Sequence, residues 1–297
     1  MSVLICHEEH LKALGAWAVH ELGAGRVLRC LGDAGRDPVE DRGVVAGVLA
    51  DEIAATNTAS FKSLYGHDAA PDPGPIRVDG DLVTAPPVTD PVWILKMARF
   101  AEYQCDGDGT PEWGSRPARV VLRAIREAAV ERIVGRAPET DPFPQKAIEA
   151  VTRVACWATA PIEKGCPPPM SIREVAHLFS VSPGRVAGDS PEEFPSNVAN
   201  ILGGAATGPI HIGWDQYLRF GADALAPETV LRDCLTIRNA HSGDDGWWKW
   251  APRVKLLEGI EIRAEARLPG WESAPWGYTG EEVPTGDPES ASGVRPG

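Results

Sequence analysis

Asp90-Pro91-Val92-Trp93-Ile94-Leu95-Lys96-Met97-Ala98-Arg99-Phe100 opens the stretch 90–136, whose reading decides the fold. Pro91 suits the first turn of a helix, where its missing N–H needs no partner, and Asp90 is a suitable N-cap before it. Val92, Ile94, Leu95, Ala98 and Phe100 recur near helical spacing. The pattern ends in turn formers, Asp106-Gly107-Asp108-Gly109-Thr110-Pro111. A second helix is expected after Ser115, with Pro117 in its first turn. Val121, Ala124, Ile125 and Ala128 form its apolar stripe, and Gly135 stops it. The stretch reads as a helical hairpin with a polar tip.

The second helix carries Arg116, Arg119, Arg123 and Arg126 at spacings of three, four and three. That places four guanidiniums along one face, where like charges repel by a few tenths of a kcal/mol per pair (about 0.2–0.5). An offset is required: an acidic partner, a phosphate backbone, or acids elsewhere in this chain. The chain holds 42 acidic residues against 29 basic ones, which favours the internal answer. The four arginines remain candidate binding residues.

The hairpin recurs. At one constant offset, Trp113-Gly114-Ser115-Arg116-Pro117 faces Trp248-Lys249-Trp250-Ala251-Pro252. Val121, Leu122 and Ile125 meet Leu256, Leu257 and Ile260, and the Gly/Asp turn meets Ser242-Gly243-Asp244-Asp245-Gly246. The charges are not copied, since Arg123 and Arg126 meet Glu258 and Glu261. A basic face on one copy can therefore pair with an acidic face on the other. The expected fold is mostly α, built on hairpins that suggest an internal duplication, with small β or loop elements.

Asp90 to Leu95, then Glu102-Tyr103-Gln104-Cys105, then Pro111-Glu112-Trp113 and the arginine-bearing helix, resemble a group of small, uncharacterised phage and prophage proteins. The resemblance implies a match at Ser63-Leu64-Tyr65-Gly66. It takes in a closing motif at Leu268-Pro269-Gly270-Trp271-Glu272-Ser273-Ala274-Pro275-Trp276-Gly277. It covers 1–137 and 268–278, and 138–267 departs from it. It implies a mobile-element origin and brings no catalytic residues to this chain.

Apolar residues make up 43% of the 297, enough for a sizeable core, and charged residues 24%, near the globular norm. A net charge of −13 disfavours broad binding to nucleic acid or anionic membranes. Six cysteines, at 6, 30, 105, 156, 166 and 234, form no CxxC pair. With no basic-then-apolar leader and no apolar run near the ~18 residues a span needs, a cytoplasmic location is expected.

In chain order, helices are expected at His7–Leu22 and Val44–Leu64, with 26–43 mixed and rich in turns. Ile76 to Val83 alternates like a small hairpin about Asp79-Gly80. Three prolines between Ala137 and Phe143–Pro144 mark a linker at 138–144. It would divide a helical domain, 1–137, from a second helical region, 145–278, ahead of a frayed tail at 279–297. In that second region Gln145–Ala158, Trp214–Phe220 and Pro227–Ala240 read as helices, and 194–209 as a glycine- and alanine-rich stretch.

Ser171 to Val186 resembles a DNA-binding helix–turn–helix, with Ala176 at the crossing, Val181 and Val186 packing back, and Arg185 on the groove-facing helix. Ser180 stands where the turn usually has glycine, Gly184 weakens the second helix, and the charges of 167–190 cancel. A helix pair packed inside the fold is the plainer reading. Cys6-His7-Glu8-Glu9-His10 spaces its histidines three apart, against the four a zinc-protease helix needs. Asp106, Asp108, Thr110 and Glu112 begin like a calcium loop, yet Pro111 intervenes and the closing glutamate is absent. Gly203-Gly204-Ala205-Ala206-Thr207-Gly208 lacks the lysine of a phosphate loop. No metal or cofactor is expected from these motifs.

Ten tryptophans are many, and Trp247, Trp248, Trp250, Trp271 and Trp276 cluster. They make either a packed core or a protein-binding patch. The leading expectation is a phage or prophage accessory protein that binds a host protein or complex, such as an inhibitor of a bacterial defence system, without catalysis. Two alternatives stand beside it: a helix–turn–helix regulator that binds DNA through 171–186, and an enzyme acting on a nucleotide or nucleic acid near the arginine stripe.

Overall fold

The computed structural model describes residues 8–32, 42–65, 75–79, 90–104, 117–135, 145–161, 167–190, 193–204, 207–222, 224–241 and 251–271. These hold twelve helices and no strand. They are α1 (Glu8–Leu22), α2 (Ala24–Cys30), α3 (Arg42–Tyr65), α4 (Pro91–Gln104), α5 (Pro117–Val134) and α6 (Gln145–Thr159). There follow α7 (Ile172–Leu178), α8 (Pro183–Ala187), α9 (Glu193–Gly203), α10 (Trp214–Phe220), α11 (Pro227–Ala240) and α12 (Ala251–Glu265). The fold is mostly α. No described helix is long and apolar enough to cross a membrane.

The local signals behind these boundaries are physical ones. Asp90 Oδ1 accepts the Val92 N–H at 3.0 Å and starts α4. Gly135 takes φ 78° just past α5, the left-handed turn that a side chain resists. Ser171 and Glu174 cap α7 reciprocally, through Glu174 N to Ser171 Oγ (3.2 Å) and Ser171 N to Glu174 Oε2 (2.7 Å).

The packing repeats in part. In the first half α1 packs on α3, and α4 on α5; in the second half α6 packs on α9 and, more closely than α1 does on α4, on α11, which also packs on α12. The correspondence reaches single residues. Val121, Leu122, Ile125 and Ala129 on α5 match Leu256, Leu257, Ile260 and Ala264 on α12, and all eight are fully buried. The first helices of the hairpins agree too: α4 and α11 are each 14 residues long and begin at a proline. Ile94, Leu95, Ala98 and Ala101 match Val230, Leu231, Cys234 and Ile237, all buried. α5 and α11 pack together where the halves meet, and one apolar cluster runs through both.

Two approaches are too close for any side chain. The α1 helix meets the Ala46 carbonyl of α3 at Gly15, and a Cβ there would overlap it. A Cβ on Gly47 would lie 2.6 Å from the Ile76 carbonyl oxygen.

Three expectations change. The turn-rich reading of 26–43 misses α2, whose Val27 and Leu28 are buried. The 194–209 stretch opens as α9, with Phe194, Val198, Ala199 and Leu202 inward and Pro195 in the first turn, where it is tolerated. The small hairpin is not formed over 75–79, which carries no strand; Ile76 donates its N–H to Asp51 Oδ1 at 2.7 Å, and Ile76 and Val78 are buried. Its turn at Gly80, the 138–144 linker and the 279–297 tail lie outside the described residues.

Candidate functional site

The arginine stripe points inward. Arg126 is 3% exposed, and its guanidinium bonds to Glu102 Oε2 at 2.6 Å while reaching Glu261 Oε2 at 3.6 Å. Arg119 stands 4.0 Å from Glu102 Oε1, and Arg123 4.0 Å from Glu258. Arg99 binds Glu265 through Nε at 2.8 Å, and Arg238 grips Glu261 with two bonds of 2.6 and 2.7 Å. The acidic face of the second hairpin thus meets the basic face of the first. Burial alone pushes Glu261 up, but Arg238, Arg126 and Arg99 outweigh it and hold the carboxyl at about 2. Glu102 behaves alike: burial raises it, and Arg126 and Arg99 pull it below the usual carboxylate range. Glu127 is held above that range, chiefly by burial. Two further contacts tie the halves: Lys96 Nζ donates to the Trp271 carbonyl at 2.7 Å, and Arg232 donates to the Val134 carbonyl at the end of α5.

The other candidates divide. Arg116, Trp247, Trp248 and Trp250 lie outside the described residues, as do Cys6, His7 and the Asp106–Glu112 loop. Among the described residues no group of three or more His, Cys, Asp or Glu is placed to hold a metal. Trp271 is buried, 3% exposed. Arg185 is exposed on α8, a helix of five residues. Ser180 adopts φ 51° in the turn, the left-handed value that explains the usual glycine there. Glu174 is turned inward to Arg263 Nη2 at 2.6 Å. Arg173, His177 and Arg185 face out, and so does Asp189.

A cleft of about 640 Å³ lies elsewhere. That is within the range of ligand pockets, roughly 300–1,000 Å³. One face of α6 supplies Ile148, Glu149, Thr152 and Arg153; the loop after α9 supplies Pro209, Ile210 and His211; α10 supplies Gln216, Arg219 and Phe220. The loop is fixed by α9. Asn200 both accepts the Ile210 N–H (2.7 Å) and donates to the Ile210 carbonyl (3.1 Å), and Ser196 Oγ accepts the Ile212 N–H at 3.0 Å. Ile210 and Ile212 are buried, so His211 between them is left exposed. The Tyr217 hydroxyl ties α10 to the Thr159 carbonyl at 3.2 Å, and Gln216 Oε1 accepts the Gly213 N–H at its start.

Charge around the cleft is partly cancelled. Arg153 is bidentate to Asp233 at 2.7 and 2.8 Å and lies 3.9 Å from Glu149. Burial holds the Asp233 carboxyl above its ordinary range, and the two-pronged contact with Arg153 pulls against that. Cys156, on the same helix, is pushed up to about 12 by burial and is a packing thiol.

On the far side of α10, Trp214 and Leu218 stand one turn apart, 47% and 60% exposed. Trp214 also lies against Tyr217, ring centroids 5.4 Å apart. The sequence reading placed its aromatic patch around 247–276 and missed this one. The signal was a tryptophan and a leucine four apart on a helix with no buried residue. Comparison with protein-family models, with characterised proteins and with solved structures gives no match.

Proposed function

We propose that this chain is a phage- or prophage-encoded accessory protein that binds a host protein, with the outer face of α10 as its contact surface. The observation that carries the reading is the exposed pair Trp214 and Leu218. Large apolar side chains left in water by a chain that buries so many others suit an interface, and tryptophan is the residue most enriched at binding hot spots. The mobile-element origin comes from the resemblance of 1–137 and 268–278, and a bacterial defence complex is the partner class it suggests. Burial of Arg126 within the arginine stripe supports the reading. Arg126 has two carboxylates of its own and cannot meet an outside anion without unpacking the junction.

The test compares affinity purification of the wild type and of Trp214→Ala/Leu218→Ala from bacterial lysate. The expected result is a stoichiometric partner with the wild type and its loss with the double variant, at unchanged melting temperature. A wild type that recovers no stoichiometric partner, or a variant that retains it, counts against the reading.

Binding of DNA through 171–186 is a second reading, favoured by the outward set Arg173, His177 and Arg185. A gel shift at two salt concentrations, with Arg185→Ala as control, decides it: unchanged binding by the variant removes that helix from consideration.

A further inference from the structure

We infer that the cleft between α6, the 207–211 loop and α10 is a binding site for a small organic anion, a phosphate monoester or carboxylate carried on a compact apolar body. This is independent of the protein-binding reading, which uses the opposite side of α10. Three observations carry it. The first is the size and wall of the cleft: about 640 Å³, with Ile148, Pro209, Ile210 and Phe220 supplying apolar surface. The second is where the charges sit. Arg153 is taken up by Asp233, and Glu149 lies 3.9 Å from Arg153, so the acids of the cleft gather on its α6 side. Among the described residues Arg219 and His211 take part in no ion pair, and they line the same opening. The third is that both are held in place. Arg219 lies over the Phe220 ring, its guanidinium carbon 5.3 Å from the centroid, which fixes a planar donor fork at the mouth. His211 sits in a loop that Asn200 and Ser196 pin on both sides.

A ligand would set its apolar body against Ile148 and Ile210 and point its anionic group at Arg219 and His211. A cation set at that place would meet the Arg219 guanidinium and be disfavoured. Phosphate and carboxylate share the bidentate geometry that a guanidinium recognises.

The experiment is a titration of the full chain, followed by saturation-transfer NMR, with phenyl phosphate, benzoate, benzylamine and benzyl alcohol as probes. Binding by one or both anions, at least about tenfold tighter than by the amine or the alcohol, is expected. The ratio of phenyl phosphate to benzoate tells the two anion classes apart. Arg219→Ala should weaken the anion about tenfold, Arg219→Lys less, and Glu149→Gln should leave it equal or tighter. Arg219 is exposed and outside the core, so the variants should fold, and an unchanged melting curve checks that. Equal binding of all four probes, no binding of either anion, or an unaffected Arg219→Ala variant overturns the proposal.

Discussion

The two hairpins share a burial pattern and oppose each other in charge. In α4–α5 the first helix carries the acid, Glu102, and the second carries Arg119, Arg123 and Arg126. In α11–α12 the first carries the base, Arg238, and the second carries Glu258, Glu261 and Glu265. Glu102 and Arg238 occupy matching places, as do Arg126 and Glu261, and all four are buried. Each hairpin therefore closes on its own ion pair, Arg126–Glu102 or Arg238–Glu261, and Arg126 then joins one to the other through Glu261. Apolar matching alone would let the halves slide or pair in several ways, because the buried aliphatic rows are alike. Opposite signs at corresponding positions leave one low-energy alignment. Replacing such a network by apolar residues is often neutral, while breaking it is not, so its value here lies in the register of the halves.

The largest expected effect comes from Arg126, the residue shared by both hairpins. Arg126→Ala strips Glu102 of its closest cation and leaves Glu261 to Arg238 and the weaker pull of Arg99. A loss of about 3–5 kcal/mol in denaturant unfolding is expected for breaking a buried pair of this kind. Arg119→Ala and Arg123→Ala remove contacts at 4.0 Å, and Arg123 is 42% exposed at its side chain, so each should cost less than about 1 kcal/mol. Equal losses at all three positions would end the distinction between a shared arginine and its neighbours.

Acid should then separate the halves. The Glu261 carboxyl sits at about 2 against an ordinary 4.5, a depressed value. Its contribution is fully present above 4.5 and disappears as pH falls from there towards 2, amounting to about 3 kcal/mol. Glu102 is lowered too and acts in the same direction. A urea midpoint that falls as pH drops below 4.5 is the expected curve. A Glu261→Gln variant should start lower and lose that part of the slope.

Charge inversion examines the alignment itself. Reversing one hairpin, with Arg238→Glu and Glu261→Arg, keeps the internal pair but sets Arg126 against a new arginine. Reversing both, by adding Glu102→Arg and Arg126→Glu, restores every opposite contact among the four. The fourfold variant should be more stable than the twofold one, by about 1–3 kcal/mol on the scale of coupled contacts. A fourfold variant no better than the twofold would show that signs at these places do not set the register.

Much of this was legible in the sequence, for reasons that also explain what was not. Prolines, caps and apolar stripes located α4, α5, α6 and α11, because each of these helices carries its buried face in one window. The sign change at Arg126 and Glu261 was visible as well, since it needs only the offset. The match between α4 and α11 escaped notice because the loops differ in length, so its offset is not that of α5 and α12. α2 and α9 escaped because glycine and proline read as breakers, while burial of Val27, Leu28, Val198 and Leu202 overrides that local cost. The cleft had no motif at all: its walls come from 145–153, 207–211 and 216–220, and only folding brings them together.

The smallest effect concerns Glu127, whose titration runs against that of Glu102 and Glu261. It lines a narrow gap with Arg126, Arg238, Glu261 and Glu265, about the size of one water. Burial holds its carboxyl up, and Glu261 adds repulsion, while Arg238 and Arg126 only partly compensate. A raised value means the opposite linkage: its contribution is best below the ordinary 4.5 and turns unfavourable as pH rises through the folded value. Glu127→Gln keeps the shape and removes the charge, so its melting temperature at pH 7 should equal or exceed the wild type by a degree or two, about 0.5 kcal/mol. The gain should vanish below pH 4, where both side chains are neutral. A clear loss at pH 7 would mean that Glu127 is a working partner of the arginines, and the junction would then be held by one more carboxylate than the matching of the hairpins requires.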